Sequence, residues 1–248
     1  MKAIGPEEIY KLIKQLELVR DRAVEDKNAI IQLYSSVNPE HDARITAFSK
    51  LINVLNSVQL ALTFIFKHLL HKEWWDSIAN EPISDEDKQT YVDEFANLIK
   101  VAFVHGAFSA VESSLRLFLR ALDPVACNAG KAGFESVYKC LFKSKLATEP
   151  KEGSRLLDLF RLVRNTIHNN GVYFSPRGDA RVVWRGRIYE FYNGEAVDFV
   201  TWEFMIDVSD ALRKLLREIV EDANMKAINA EITDPFSIRD CKAFPERW

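Results

Sequence analysis

Seven apolar residues, Phe48, Leu51, Leu55, Val58, Leu62, Ile65 and Leu69, recur at steps of 3-4-3-4-3-4 without a break. Only a helix of about 3.6 residues per turn places such a series on one line, so the chain must contain a long helix with one buried seam. The spacing has this helix opening near Asn38-Pro39-Glu40 and ending at His68, His71 and Lys72, whose charge suits the negative end of the macrodipole. A seam needs a partner. Residues from about Pro6 to Tyr34 supply one, with Ile9, Leu12, Ile13, Leu16 and Val19 at three- and four-residue steps and Pro6 suited to a first turn. The seam helix does not read as a membrane span. Asn53, Asn56, Gln59, Lys67 and His68 interrupt it, and its longest clean run, LALTFIF, falls far short of about 20 residues.

After a loop through Trp74-Trp75 and Pro82, Ser84 followed by Asp85, Glu86 and Asp87 is an N-terminal capping signature. The helix it starts extends to about Leu122, before Asp123-Pro124. Within it, Gly106 and neighbouring Ala and Ser residues allow a second helix to approach closely. Two shorter helices are predicted at about Gly133–Leu146 and Gly153–Asn169. The pattern then changes. Residues 172–199 are rich in aromatic and β-branched residues, with Arg185-Gly186 and Asn193-Gly194 at turn positions, and predict two or three short antiparallel strands. Thr201 caps a final helix to about Asn224 with Phe204, Val208, Leu212, Leu215 and Ile219 on one face.

Composition agrees with this outline. Nine glycines and eight prolines in 248 residues are too few for a turn-rich sandwich. The net charge of −3 excludes a globally basic nucleic-acid binder but not a local basic patch. Cys127, Cys140 and Cys241 are an odd number at irregular spacing, unlike a disulfide framework or zinc site, and the N-terminal stretch lacks a signal-peptide pattern. The expectation is a cytoplasmic all-α helical bundle with long antiparallel helices and a small β-hairpin inserted before the last helix. It forms one domain over 1–248, with N-terminal helices at 6–71, a core at about 85–224 and an irregular tail at 225–248.

No Gly-rich phosphate loop or nucleophile elbow occurs, and no cofactor is expected. His68-x-x-His71-x-Glu73 is the only His/carboxylate cluster at ligand-like spacing. It lacks a second cluster to complete a site, so it reads as a helix end and no metal is expected. His105 reads as a packed mid-helix histidine. The segment LFRLVRNTIHNNGVYF, residues 159–174, carries more chemistry. At about 100° per residue, Arg164 and His168 lie about 40° apart around a helix, and Arg161 and His168 within about 20°. The apolar residues Leu156, Phe160, Val163 and Ile167 form a separate stripe. Arginines neutralise non-bridging phosphate oxygens and a histidine moves protons near neutral pH, a combination suited to a phosphodiester. The same residues also fit a plain helix end, with His168 before the left-handed stop Asn169-Asn170-Gly171 and Arg161 paired to Asp158. Downstream, Arg177, Arg181, Arg185 and Arg187 cluster around Trp184 and Tyr189, fitting either a base-stacking, phosphate-holding ribbon or a strand's solvated face.

The run Arg164-Asn165-Thr166-Ile167-His168-Asn169-Asn170-Gly171 resembles the signature of the HEPN superfamily, helical proteins that usually dimerise and include many metal-independent ribonucleases. The likeness extends to the helix around Phe108-Ser109-Ala110-Val111-Glu112 and covers residues from about 85 to 224. It implies catalysis by Arg164, Asn165 and His168 and a homodimer with a composite site; the arginine-rich ribbon adds Arg185 and Arg187, with Arg161 of the helix, as the expected RNA-binding residues. It also implies a toxin or anti-phage role with an antitoxin or defence partner. Three residues separate Arg164 from His168, one fewer than the family range. Six separate Arg161 from His168, but Leu162 follows Arg161 where the family has a polar residue. Either arginine therefore fits the role in part. The alternative is a non-catalytic RNA- or nucleotide-binding or dimeric assembly module.

Overall fold

The computed structural model describes residues 5–79, 81–126 and 132–238. Among them are nine α-helices and one two-stranded ribbon, an all-α fold with a small β insert. Helix α1 (Pro6–Leu33) begins with proline at its first position and Glu7 and Glu8 in its first turn, where acidic groups complement the helix dipole. It lies along α2 (Ala43–Phe64), whose last turn widens into a π-helical turn at Ile65–Leu69. All seven seam residues are buried. Helix α2 with its π turn and helix α4 (Asp85–Leu122) each reach the length and apolarity of a membrane span. Both direct their apolar seams into the common core, as core helices do.

α2 opens at Ala43, later than the Asn38-Pro39-Glu40 signal suggests. The Asn38 side chain accepts from Glu40 N–H and its carbonyl accepts from Asp42 N–H, which closes a turn there. Asp42 is the cap, accepting from Arg44 N–H, and the two side chains form a fully buried ion pair. The Arg44 guanidinium also donates to the carbonyls of Ile228 and Ala230, at 2.7 and 3.0 Å, and lies over the Tyr34 ring. Ile232 N–H donates back to Asp42, and Thr46 and Lys50 hold buried Asp234. The segment that reads as irregular tail is thus fastened to the start of α2 from Ile228 to Asp234. No periodicity marks it because its order comes from these polar contacts.

The Trp74-Trp75 stretch is helical, α3 (Lys72–Ile78), where a loop was expected. Trp75 is buried, its indole N–H donates to the Leu69 carbonyl, and its ring stacks on Tyr91. Tertiary burial therefore decides a segment too short to show a period. α4 is capped as expected. Ser84 Oγ accepts from Asp87 N–H, and its hydroxyl donates to the Asp87 carboxylate. A Cβ on Gly106 would lie 3.1 Å from Val54 Cγ2, which shows how closely α2 and α4 approach.

Helix α5 (Phe134–Cys140) continues into a π turn at Leu141–Lys145, and α6 (Lys151–Ile167) follows. Strands β1 (Ala180–Trp184) and β2 (Arg187–Phe191) pair antiparallel, with Val182 opposite Tyr189 and Val183 opposite Ile188. Arg185 and Gly186 join them, both at positive φ, as a tight two-residue hairpin requires. Instead of a third strand there is an isolated bridge between Val172 and Ala196. Tyr189 and Phe191 pack with Phe199 and Phe204 against α7 (Trp202–Val220). α7 stops before the expected Asn224 because Asp222 caps a separate short helix, α8 (Ala223–Lys226), and accepts from the N–H groups of Ala147 and Thr148. A last short helix, α9, spans Pro235–Ile238.

Removing one partner of a buried ion pair leaves an uncompensated charge, which costs about 3–5 kcal/mol. Asp42→Ala is therefore expected to destabilise the fold by about that amount in urea denaturation, whereas exposed Asp21→Ala should change stability by less than about 1 kcal/mol.

Candidate functional site

Helix α6 sorts the candidate residues onto two different sides. Its apolar stripe, including Leu156, Leu159, Phe160 and Val163, is buried, and its polar residues divide on either side of that stripe. Arg164 turns toward α4, where its guanidinium lies 5.2 Å from the centroid of the Phe108 ring. His168, the residue that ends the helix, places its imidazole edge to face against His105, with ring centroids 5.0 Å apart. His105 and Phe108 are one turn apart on α4, and His168 and Arg164 are one turn apart on α6. The helices run antiparallel here, so the two contacts form adjacent rungs.

The stop behind His168 is the expected one. Asn170 and Gly171 both have positive φ, and Gly171 N–H donates to the Thr166 carbonyl at 2.9 Å. The chain therefore turns away directly after His168 and leaves it exposed. His105 is half-buried. Burial, then the neighbouring His168, then the Arg164 charge hold its pKa below the ordinary histidine value. Arg164 makes no ion pair among the described residues. Its Nη1 donates to the Asn165 side-chain oxygen at 3.4 Å.

Arg161 is placed elsewhere. It lies between Glu135 of α5 and Asp158, at 3.4 and 3.6 Å, beside the Tyr138 hydroxyl that donates to Asp158. Burial and the Asp158 carboxylate push that hydroxyl well above its usual range. Helical-wheel arithmetic puts Arg161 and His168 on one line. The carboxylates of Glu135 and Asp158 draw Arg161 toward α5, while His168 turns to α4. The Asp158 pairing expected from sequence is present, and Arg161 ties α6 to α5.

The hairpin aromatics are not open to a base. Trp184 and Tyr189 are buried and face the core, so neither offers a free face for base stacking. Arg185 lies over Trp184 and Arg187 over Tyr189, at 4.6 and 5.4 Å. Arg177 and Arg181 instead line a cleft of about 620 Å³ between α6, the residue 173–179 loop and β1. Arg161 and Asn165 line it too.

Among the described residues no group of three His, Cys, Asp or Glu side chains is close enough to hold a metal ion. His68 lies against the Phe64 ring, and His71 Nε2 is 3.2 Å from the Phe66 carbonyl. Cys140 is a free, half-buried thiol, while Cys127 and Cys241 lie outside the described residues. His105 is packed mid-helix as its position suggests, but that His168 is its neighbour is not legible in the sequence. It is 63 positions from His168, and only the packing of α4 on α6 brings the two together. No family model, curated protein or solved structure matches the chain.

The depressed affinity of His105 for a proton is directly measurable. In an NMR titration its imidazole is expected to titrate below 6.5, and His168→Ala or Arg164→Gln should each raise that value. The unfolded chain then binds this proton more tightly than the folded one. His105 therefore lowers stability as pH falls from about 6.5 toward its folded pKa, and His105→Gln should flatten that acid-side slope in melting experiments.

Proposed function

We propose that the protein is a metal-independent endoribonuclease of the HEPN type, acting as a cytoplasmic homodimer in a toxin or anti-phage defence setting. The observation that carries this reading is the His105–His168–Arg164 cluster. It gathers two imidazoles and an unpaired guanidinium at one partly exposed place. Such a set supplies what cleavage of an RNA phosphodiester by its own 2′-hydroxyl requires.

In the proposed reaction neutral His105 takes the proton of the 2′-hydroxyl, and O2′ forms a bond to phosphorus. The bond from phosphorus to O5′ breaks, and His168 gives a proton to the departing O5′. The products are a 2′,3′-cyclic phosphate and a 5′-hydroxyl end. Arg164 neutralises the charge that builds on the non-bridging oxygens, and its planar fork can hold two of them. The two rings touch, so the scissile phosphate sits beside the pair and against Arg164. Asn165 steadies the guanidinium from its open side.

Arg164 suits the role better than Arg161, because the Arg161 charge is already matched by Glu135 and Asp158. The departure from the family spacing then has a geometric counterpart. His168 leaves the helix at its cap and meets a second histidine from α4.

Cleavage is expected to survive EDTA. His168→Ala and His105→Ala should each slow it about 10²–10⁴-fold, and Arg164→Lys about 10²-fold. A nucleoside 3′-(4-nitrophenyl phosphate) separates the two histidines, because its leaving group needs no proton. On that substrate His168→Ala should recover most of its rate and His105→Ala should not. Wild-type cleavage of RNA by all three variants would overturn the assignment. In sedimentation, the expected species has twice the 28.5 kDa chain mass.

A further inference from the structure

We infer that the cleft between α6 and the hairpin is a nucleotide-binding subsite, which holds one base on Phe174 and a phosphate between Arg177 and Arg181. The inference deepens the reading of Arg164 and His168 as an RNA-cleaving site and rests on it for the source of the strand. The cleft is about 620 Å³, within the range of small-ligand sites, and large enough for a nucleoside monophosphate.

Its charges are sorted. The carboxylates that line it are already engaged. Glu135 is held by Lys139, Arg161 and Arg177, which keep its pKa below the usual carboxylate range. Asp158 takes the Tyr138 hydroxyl and Arg161. Asp179 accepts from Asn193 N–H at 2.8 Å. On the cationic side, Arg177 is strongly exposed, and its one acidic neighbour is Glu135 at 3.8 Å. Arg181 is exposed and makes no ion pair among the described residues. Arg181 is thus left for an anion, and Arg177, 83% exposed, can turn to the same anion from its long contact with Glu135.

The aromatic partner is Phe174, 59% exposed at the cleft wall although most of the protein's phenylalanines are buried. Its loop is rigid. Ser175 N–H donates to the Asn193 side chain at 2.7 Å, and Arg177 N–H donates to Ser175 Oγ at 3.1 Å. Together with the Asp179 contact, these bonds fasten both ends of the loop to the turn at Asn193-Gly194. A backbone held in place ahead of binding loses little freedom when a base stacks on the ring it carries. Asn165 joins the two places, since it lines the cleft and also accepts from Arg164. A strand with its scissile phosphate at Arg164 would therefore lay its neighbouring nucleotide in the cleft.

The test is fluorescence anisotropy with a labelled 2′-O-methyl RNA heptamer, which binds but lacks the nucleophile. Arg177→Gln/Arg181→Gln should weaken binding about tenfold or more, and Phe174→Ala about five- to tenfold. Arg185→Gln/Arg187→Gln is the charge-matched control and should change binding less than threefold. Equal loss in both double variants, or unchanged binding in the first, would overturn the subsite. Competition by 5′-AMP would identify a free nucleotide as a sufficient ligand, competition by unlabelled heptamer alone would identify the strand, and competition by neither would overturn the inference. All substituted side chains are exposed, so circular dichroism should show an unchanged fold. RNA cleavage by His168→Ala reports separately on the catalytic reading. Wild-type rates there with weakened binding in the cleft variants would leave the subsite standing and remove His168 from catalysis.

Discussion

The geometry of the candidate site depends on Phe108. Its ring is buried and meets Phe134 of α5 at 4.9 Å and Phe160 of α6 at 5.6 Å. The Arg164 guanidinium also lies against it. One side chain therefore joins three helices and positions the cation. The electron-rich ring face attracts a guanidinium by roughly 0.5–2 kcal/mol, more as water is excluded. Because α4 and α6 run antiparallel, fixing Phe108 against Arg164 also fixes His105 against His168 one turn away. The imidazole contact follows from the aromatic one.

The different environments of the two α6 arginines explain what each contributes. Arg161 faces Glu135, Asp158 and the Tyr138 hydroxyl, and the half-buried group is neutralised where it stands. Its contribution is to fix α5 on α6, and α5 in turn carries Phe134 to Phe108. Arg164 rests on a hydrocarbon ring and an amide oxygen, neither of which cancels its charge. The protein as a whole is acidic, so an uncompensated guanidinium next to two imidazoles is a local exception to its charge balance.

Periodic burial was legible in the sequence, and contacts between distant segments were not. The seven-residue seam from Phe48 to Leu69, the Ser84 cap and the Arg185-Gly186 turn are each set by a short stretch of chain, and the structure matches them. Asp42, Trp75 and Asp222 changed element boundaries through partners far along the chain, at Ile232, Tyr91 and Thr148. The same division runs through the site. Residues 164–171 are visible as a motif, but His105 had no local signal beyond a histidine beside a glycine. The alternation of the hairpin was readable, whereas the choice of buried face was not. Tyr189 went inward because Phe199 and Phe204 offer an aromatic surface there, and Trp184 packs beside Tyr189.

The helix stop after His168 links the histidine pair to the cleft. Were α6 to continue one more turn, His168 would become an interior helical residue and the following chain would run on along α4 toward its N-terminus. Instead, Asn170 and Gly171 reverse the backbone in the left-handed region, at a cost small only for glycine and asparagine. Gly171 then accepts from Val197 N–H, Tyr173 N–H donates to Glu195, and Gly194 N–H donates to Tyr173. These bonds lead the chain back along α6, so that Phe174 and Arg177 stand beside the helix that carries Arg164. A single two-residue reversal thus both exposes the imidazole and builds the wall of the cleft next to it. The placement of His168 at the cap is therefore tied to the path of the segment that brings the cleft arginines beside α6.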